Sequence, residues 1–197
     1  MSKNTNQNER RGFLSKILTV GASGIALFSS AAYARGRKSR GGKNRTTTKL
    51  TEEQLDELYF IYQEEKLARD VYITLGEMYP GENTFASIQL SEQRHIDAAQ
   101  RLCERYKIDL SKIDEDEVGN FDNNILQKLY TTLVDKGSTS LMAALEQGVF
   151  IEELDIGDLT KAIEDMGMPD DVIRVYENLR EGSYNHLEAF QVALARV

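Results

Sequence analysis

From Leu55 onward, apolar residues recur every three or four positions, and no stretch alternates with period two for long enough to make a strand. Thr51 with Gln54 three residues later forms a capping box. The apolar repeat then continues until Pro80 and Gly81, which predicts a first helix over about Glu52 to Tyr79. A second helix is predicted from about Phe85 to Tyr106, capped by Thr84 or Ser87. Asp109 to Phe121 is acidic and contains glycine, and it reads as a long connection. Asn123 to Asp135 predicts a helix ended by Gly137. Ser138 or Thr139 then caps a short helix to Gln147, Gly148 marks a junction, and Val149 to Asp165 continues as the third bundle helix. Gly167 breaks that run, and Pro169 opens a last helix reaching about Ala195. Gly182 inside it costs about 1 kcal/mol relative to Ala, so it either allows close approach of another backbone or splits the helix. The fold class expected is all-α, a four-helix bundle with extra short helices.

Four of these stripes carry acidic or imidazole groups where apolar ones belong. Glu92 lies near the centre of the stripe Phe85, Ile88, Ile96, Ala99, Cys103 and Tyr106, with His95 three residues on. Glu152 is central to Leu141, Leu145, Gly148, Ile156, Leu159 and Ile163, with Asp155 one turn further. His186 is central to Val172, Val175, Leu179, Phe190 and Ala193. The first helix carries Glu64 and Glu65 between Ile61 and Ala68; its apolar stripe centres better on Glu64. A buried, unpartnered carboxylate costs several kcal/mol, so each must be neutralised, hydrogen-bonded or bound to a cation. Hard oxygen with imidazole and no sulfur suits iron or manganese, with zinc as a common contaminant. The competing reading is a metal-free bundle in which His95 and His186 hydrogen-bond the glutamates and fix the helix register.

Charge divides the chain. It holds 24 basic and 32 acidic residues; residues 1 to 50 hold 11 and 1, leaving 13 and 31, or net −18, for the rest. A body that acidic is a poor nucleic-acid binder and suits small cations. Arg10 and Arg11 precede an apolar run from Phe13 to Phe28 that ends in the small-residue site Ala32, Tyr33, Ala34. Residues 1 to 34 therefore read as an export signal, the apolar run being short against the roughly 20 residues of a membrane span. Arg10, Arg11, Gly12, Phe13, Leu14 and Lys16 resemble the twin-arginine signal, whose route carries proteins already folded. Cleavage near Ala34 would leave a periplasmic or extracellular protein with no stable membrane span. Residues 35 to 50 read as a basic disordered linker, and 51 to 197 as one helical domain. Cys103 is the single cysteine, so no intrachain disulfide or thiolate cluster forms, and packing is its expected role.

Glu65, Lys66, Leu67, Ala68, Arg69 with Tyr72 resembles the first ligand helix of rubrerythrin-like proteins, and Ser91 to His95 resembles the Glu-x-x-His helix of the ferritin-like superfamily. Glu64 to Tyr72, Ser91 to His95, Ile151 to Leu159 and Gly182 to Phe190 together resemble the exported ferritin-like proteins known as domain of unknown function 2202, over about residues 53 to 193. The resemblance implies a bundle holding two metal ions through a Glu from each of two helices and a Glu-x-x-His from each of the other two. Carried over, it implies Glu65 from the first helix, Glu92 and His95 from the second, Glu152 from the third and His186 from the fourth. It favours Glu65 over Glu64. Where the fourth helix should offer a Glu three residues before its His, this chain has Ser183. Asp155 can replace that carboxylate, or the site holds only one ion.

The function expected is an exported di-iron or di-manganese oxidoreductase of the peroxidase or ferroxidase kind, acting on dioxygen, peroxide or ferrous iron with an external electron donor. The alternative is a non-catalytic metal-binding or interaction bundle. Tyr62 and Tyr72 are candidate hydrogen-bond or electron donors nearby, against the ordinary role of core tyrosines.

Overall fold

The computed structural model describes residues 49–197. The expected export signal, and all but the last two residues of the expected linker, lie outside the described residues; of those two, Lys49 is exposed and Leu50 buried. Among the described residues there is no strand, and there are five helices: α1 Glu52–Met78, α2 Asn83–Arg105, α3 Asn124–Gly137, α4 Leu141–Asp165 and α5 Asp170–Leu194.

The ends follow side-chain chemistry. Thr51 and Gln54 form the expected capping box, with Gln54 N donating to Thr51 Oγ1 at 3.2 Å and Thr51 N to Gln54 Oε1 at 2.9 Å. The cap of α2 is neither Thr84 nor Ser87 but Glu82, whose carboxylate accepts from Thr84 N at 2.9 Å and from its hydroxyl at 2.6 Å. Asn123 caps α3 and Ser140 caps α4. The expected break at Gly148 does not occur. Instead α4 runs unbroken across it, so the separate short helix to Gln147 is the first part of a bundle helix. Gly148 serves packing: a Cβ there would stand 2.5 Å from the Phe190 ring of α5. Gly182 likewise leaves α5 whole.

The short connection at residues 79–82 folds α1 and α2 into a hairpin, and residues 166–169 do the same for α4 and α5. The hairpins pack α1 against α4 and α2 against α5, closing a four-helix bundle, while α3 lies against α1 and α4. Ile61, Leu67, Val71, Phe85, Ile96, Leu145, Leu159, Val172 and Phe190 make up much of its core. Each such side chain contributes about 1.5–3 kcal/mol on full burial. No described helix is long and apolar enough to cross a membrane.

Every residue of α1 from 60 to 72 is buried, so its charged residues need partners on all sides. Lys66 Nζ donates to Asp70 Oδ2 at 2.6 Å and to Glu117 O at 2.7 Å, and lies 4.7 Å from the centre of the Phe121 ring. Asp70 also accepts from Gly119 N at 2.9 Å and from Arg69 Nη2 at 2.8 Å. Arg69 reaches Gln93 Oε1 at 2.6 Å and Glu115 O at 2.5 Å. This network fastens the α2–α3 connection to α1.

Candidate metal centre

Glu92 and His95 sit one turn apart on the inward face of α2, buried as their place in the apolar stripe requires. His95 Nδ1 lies 3.1 Å from Glu65 Oε2 of α1 and 3.1 Å from Glu92 Oε2. Across the bundle, His186 Nδ1 of α5 lies 2.7 Å from Glu92 Oε1 and 3.6 Å from Glu152 Oε2 of α4. Each imidazole nitrogen thus faces oxygens of two carboxylates. The two groups, Glu65–Glu92–His95 and Glu92–Glu152–His186, share Glu92 through its opposite oxygens. The rings stack with centroids 5.1 Å apart. Atoms of Glu92, His95 and His186 come within 4.8 Å of one another, a spacing able to hold a metal ion.

Neighbours orient these groups. The Tyr72 hydroxyl donates to Glu152 Oε1 at 2.6 Å. Its ring packs 4.9 Å from Phe190 and 6.3 Å from Phe85, which are 5.5 Å from each other, an aromatic wall beside the carboxylates. Ser183 Oγ lies 2.5 Å from Asp155 Oδ2 and 3.0 Å from Leu179 O. A Cβ on Gly182 would stand 2.6 Å from His95 Cε1, so the glycine makes room for that ring. Gly182 therefore permits close approach, but of a side chain.

The electrostatics are those of too much negative charge in too little water. Burial raises Glu65 to about 7, although His95 pulls it down. Burial and then the charge of Glu92 raise Glu152 to about 8. Asp155 is raised well above the carboxylate range, first by burial and then by Glu65. Burial would also raise Glu92, but the two imidazoles outweigh it and hold the group down to about 2. The same contacts overcome burial at the imidazoles, lifting His95 to about 11 and His186 to about 9. Tyr72 is raised well above its ordinary value by burial and by Glu152, so its phenol stays a donor.

The donor set fits divalent metal. Four carboxyl groups face two imidazoles, so with all four ionised the cluster would carry net negative charge even with both rings protonated. Glu65 Oε1 and Asp155 Oδ1 are buried with no hydrogen-bond partner. Hydrogen bonds alone leave these atoms unanswered, whereas a cation would answer them.

Residues 33–196 match the family described as "Uncharacterized protein domain (DUF2202)". The chain belongs to this family. It is 43% identical over 141 residues to "Uncharacterized protein MJ0754" of Methanocaldococcus jannaschii, spanning 72% of this chain and 75% of that protein. It also superposes on "Crystal structure of hypothetical protein MJ0754 from Methanococcus jannaschii DSM 2661" with TM-score 0.73 and 40% identity, covering 78% of this chain and 86% of the other. All the grouped side chains fall within the DUF2202 match.

In this DUF2202 chain the structure groups Glu65, Glu92, His95, Glu152 and His186 directly, while Asp155 is buried one turn beyond Glu152 and bonded to Ser183. Glu64 is buried too, but it is the carboxylate of Glu65 that meets His95. Tyr62 points elsewhere, donating to Glu115 Oε2 at 3.2 Å. Cys103 is fully buried, with burial raising its thiol to about 12, as packing requires. Asp70 escaped the sequence reading. The signal was available in Lys66 and Asp70, opposite charges four residues apart between Leu67 and Val71.

Proposed function

We propose that this chain is a ferritin-like metal-binding bundle holding two ions, iron or manganese, and that it works as an oxidoreductase on dioxygen, peroxide or ferrous iron. The observation that carries the reading is Glu92, whose two oxygens serve separate carboxylate–imidazole groups, 3.1 Å from His95 and 2.7 Å from His186. Glu65 and His95 would hold one ion and Glu152 and His186 the other, with Glu92 common to both. Bound iron or manganese supplies one-electron redox change and an open position for a small oxidant. The chain's own part is to bind, orient and keep dry. Tyr72 fixes Glu152 by its hydrogen bond, and Phe85 and Phe190 exclude water from that flank. Electrons would come from a separate donor.

Arg10, Arg11 and the apolar run to Phe28 support export by the twin-arginine route, which would deliver a bundle already folded around its ions.

Metal analysis of protein made in its native host, followed by anaerobic ferrous titration of the metal-free protein and admission of air, tests the reading. Two ions per chain and uptake of dioxygen or peroxide are expected. Glu92→Ala should lose at least one ion, and unchanged metal content in that variant would overturn the assignment. Tight binding without oxidation would leave a non-catalytic metal protein.

A further inference from the structure

Ser183 stands one turn before His186 on the inward face of α5, where the ferritin-like pattern has a glutamate. It is 1% exposed, too deep for a hydroxyl that merely tolerates water. Opposite it on α4, Asp155 stands one turn beyond Glu152 and is 4% exposed. One oxygen of Asp155 is held by Ser183 Oγ at 2.5 Å, while the other, Oδ1, is buried and unpartnered. The carboxylates whose charges reach Asp155 are Glu65 of α1, Glu152 of its own helix and Glu92 of α2, one from each of the other parts of the cluster. Among the described residues no cation is paired with Asp155, and the charges that act on it have its own sign, so an ion pair does not account for its burial.

We propose that Asp155 is a metal ligand supplied from α4 in place of the glutamate missing from α5, and that Ser183 is the positioning residue that turns its free oxygen toward the ions. The inference rests on the metal reading above. The exchange conserves the carboxylate count while moving its origin to the neighbouring helix. A glutamate on α5 would reach the ions along a longer side chain. The shorter aspartate comes from the facing helix and needs a second group to fix its rotation, which the hydroxyl provides. Ser183 has one proton for two acceptors, Asp155 Oδ2 and Leu179 O. With a cation bound, Asp155 would stay anionic and the Ser183 proton would go to Oδ2.

Anaerobic calorimetry with ferrous iron on the unaltered chain, Asp155→Asn and Ser183→Ala tests this, with circular dichroism as the check on folding. The unaltered chain should take up two ions. Asp155→Asn keeps the shape and the bond to Ser183 but should bind one ion, or bind the second far more weakly. Ser183→Ala should retain both ions, with the second held about tenfold to a hundredfold less tightly, the usual effect of removing a group that orients a ligand. Two ions bound by Asp155→Asn as tightly as by the parent would overturn the ligand assignment and leave the metal reading standing. Unchanged affinity in Ser183→Ala would overturn its positioning role. No uptake by the parent would end the metal reading and this inference together.

Discussion

Single atoms decide the most at two positions. Tyr72 donates the 2.6 Å hydrogen bond to Glu152, a group burial already presses toward its neutral form. Tyr72→Phe removes that donor and changes little else in the aromatic wall, so a loss of about 0.5–1.5 kcal/mol is expected, the net range for a hydrogen bond to an uncharged group. Chemical denaturation checks it, and unchanged stability would mean the bond is replaced by another donor. Gly182→Ala places a methyl group against the His95 ring. Either the ring or α5 must shift, at about 1–3 kcal/mol for overpacking, and metal affinity should fall with the melting temperature. At this scale the sequence was informative where a polar residue interrupts an apolar stripe, as Glu92 and His186 do. It could not separate Glu64 from Glu65, because that whole turn is buried and both carboxylates lie within the helix's interior arc. Only His95, on another helix, distinguishes them.

At the level of the element, α1 is enclosed on every side over residues 60–72, and its own charges tie down the α2–α3 connection. Asp70 is the hub, receiving Lys66, Arg69 and the Gly119 amide with no exposed surface. Asp70→Ala should destabilise the protein by about 3–5 kcal/mol, because it strands buried cations rather than only deleting contacts. Hydrogen exchange should then rise first in residues 106–123. Helix type was readable from periodicity. The continuity of α4 across Gly148 was not, because the glycine answers to Phe190, forty-two residues away, and a local reading sees only a weak helix former. The clamp was legible only in part: the spacing of Lys66 and Asp70 signals a pair, but nothing local shows that the α2–α3 connection is laid over it.

For the whole molecule, the buried charge makes stability depend on pH in a defined direction. In the metal-free protein Glu65 and Glu152 are raised to about 7 and about 8, so the folded state keeps protons that the unfolded chain has lost. Stability present below the ordinary carboxylate pKa is therefore lost as pH rises through those values. His186 and His95, raised to about 9 and about 11, act in the same sense: their ion-pair stabilisation is full below the ordinary imidazole pKa and lost as pH climbs through the raised values. Glu92, held down to about 2, works the other way, and its contribution is lost on strong acidification. The melting temperature of the metal-free protein should thus fall from about pH 5 to about pH 9, and the metal-loaded protein should show a flatter profile because cations take the place of the protons. Thermal melts of both forms across that range check this, and a metal-free protein that gains stability with rising pH would contradict it.

The imidazoles are the most exposed of the grouped side chains, His95 at 8% and His186 at 6%, against 4% or less for the four carboxylates. The thinnest cover over the cluster therefore lies at the two rings, where α2 meets α5. If the cluster holds ions as proposed, a small cation or a peroxide-sized molecule arriving from solvent would meet the edges of these rings before any carboxylate.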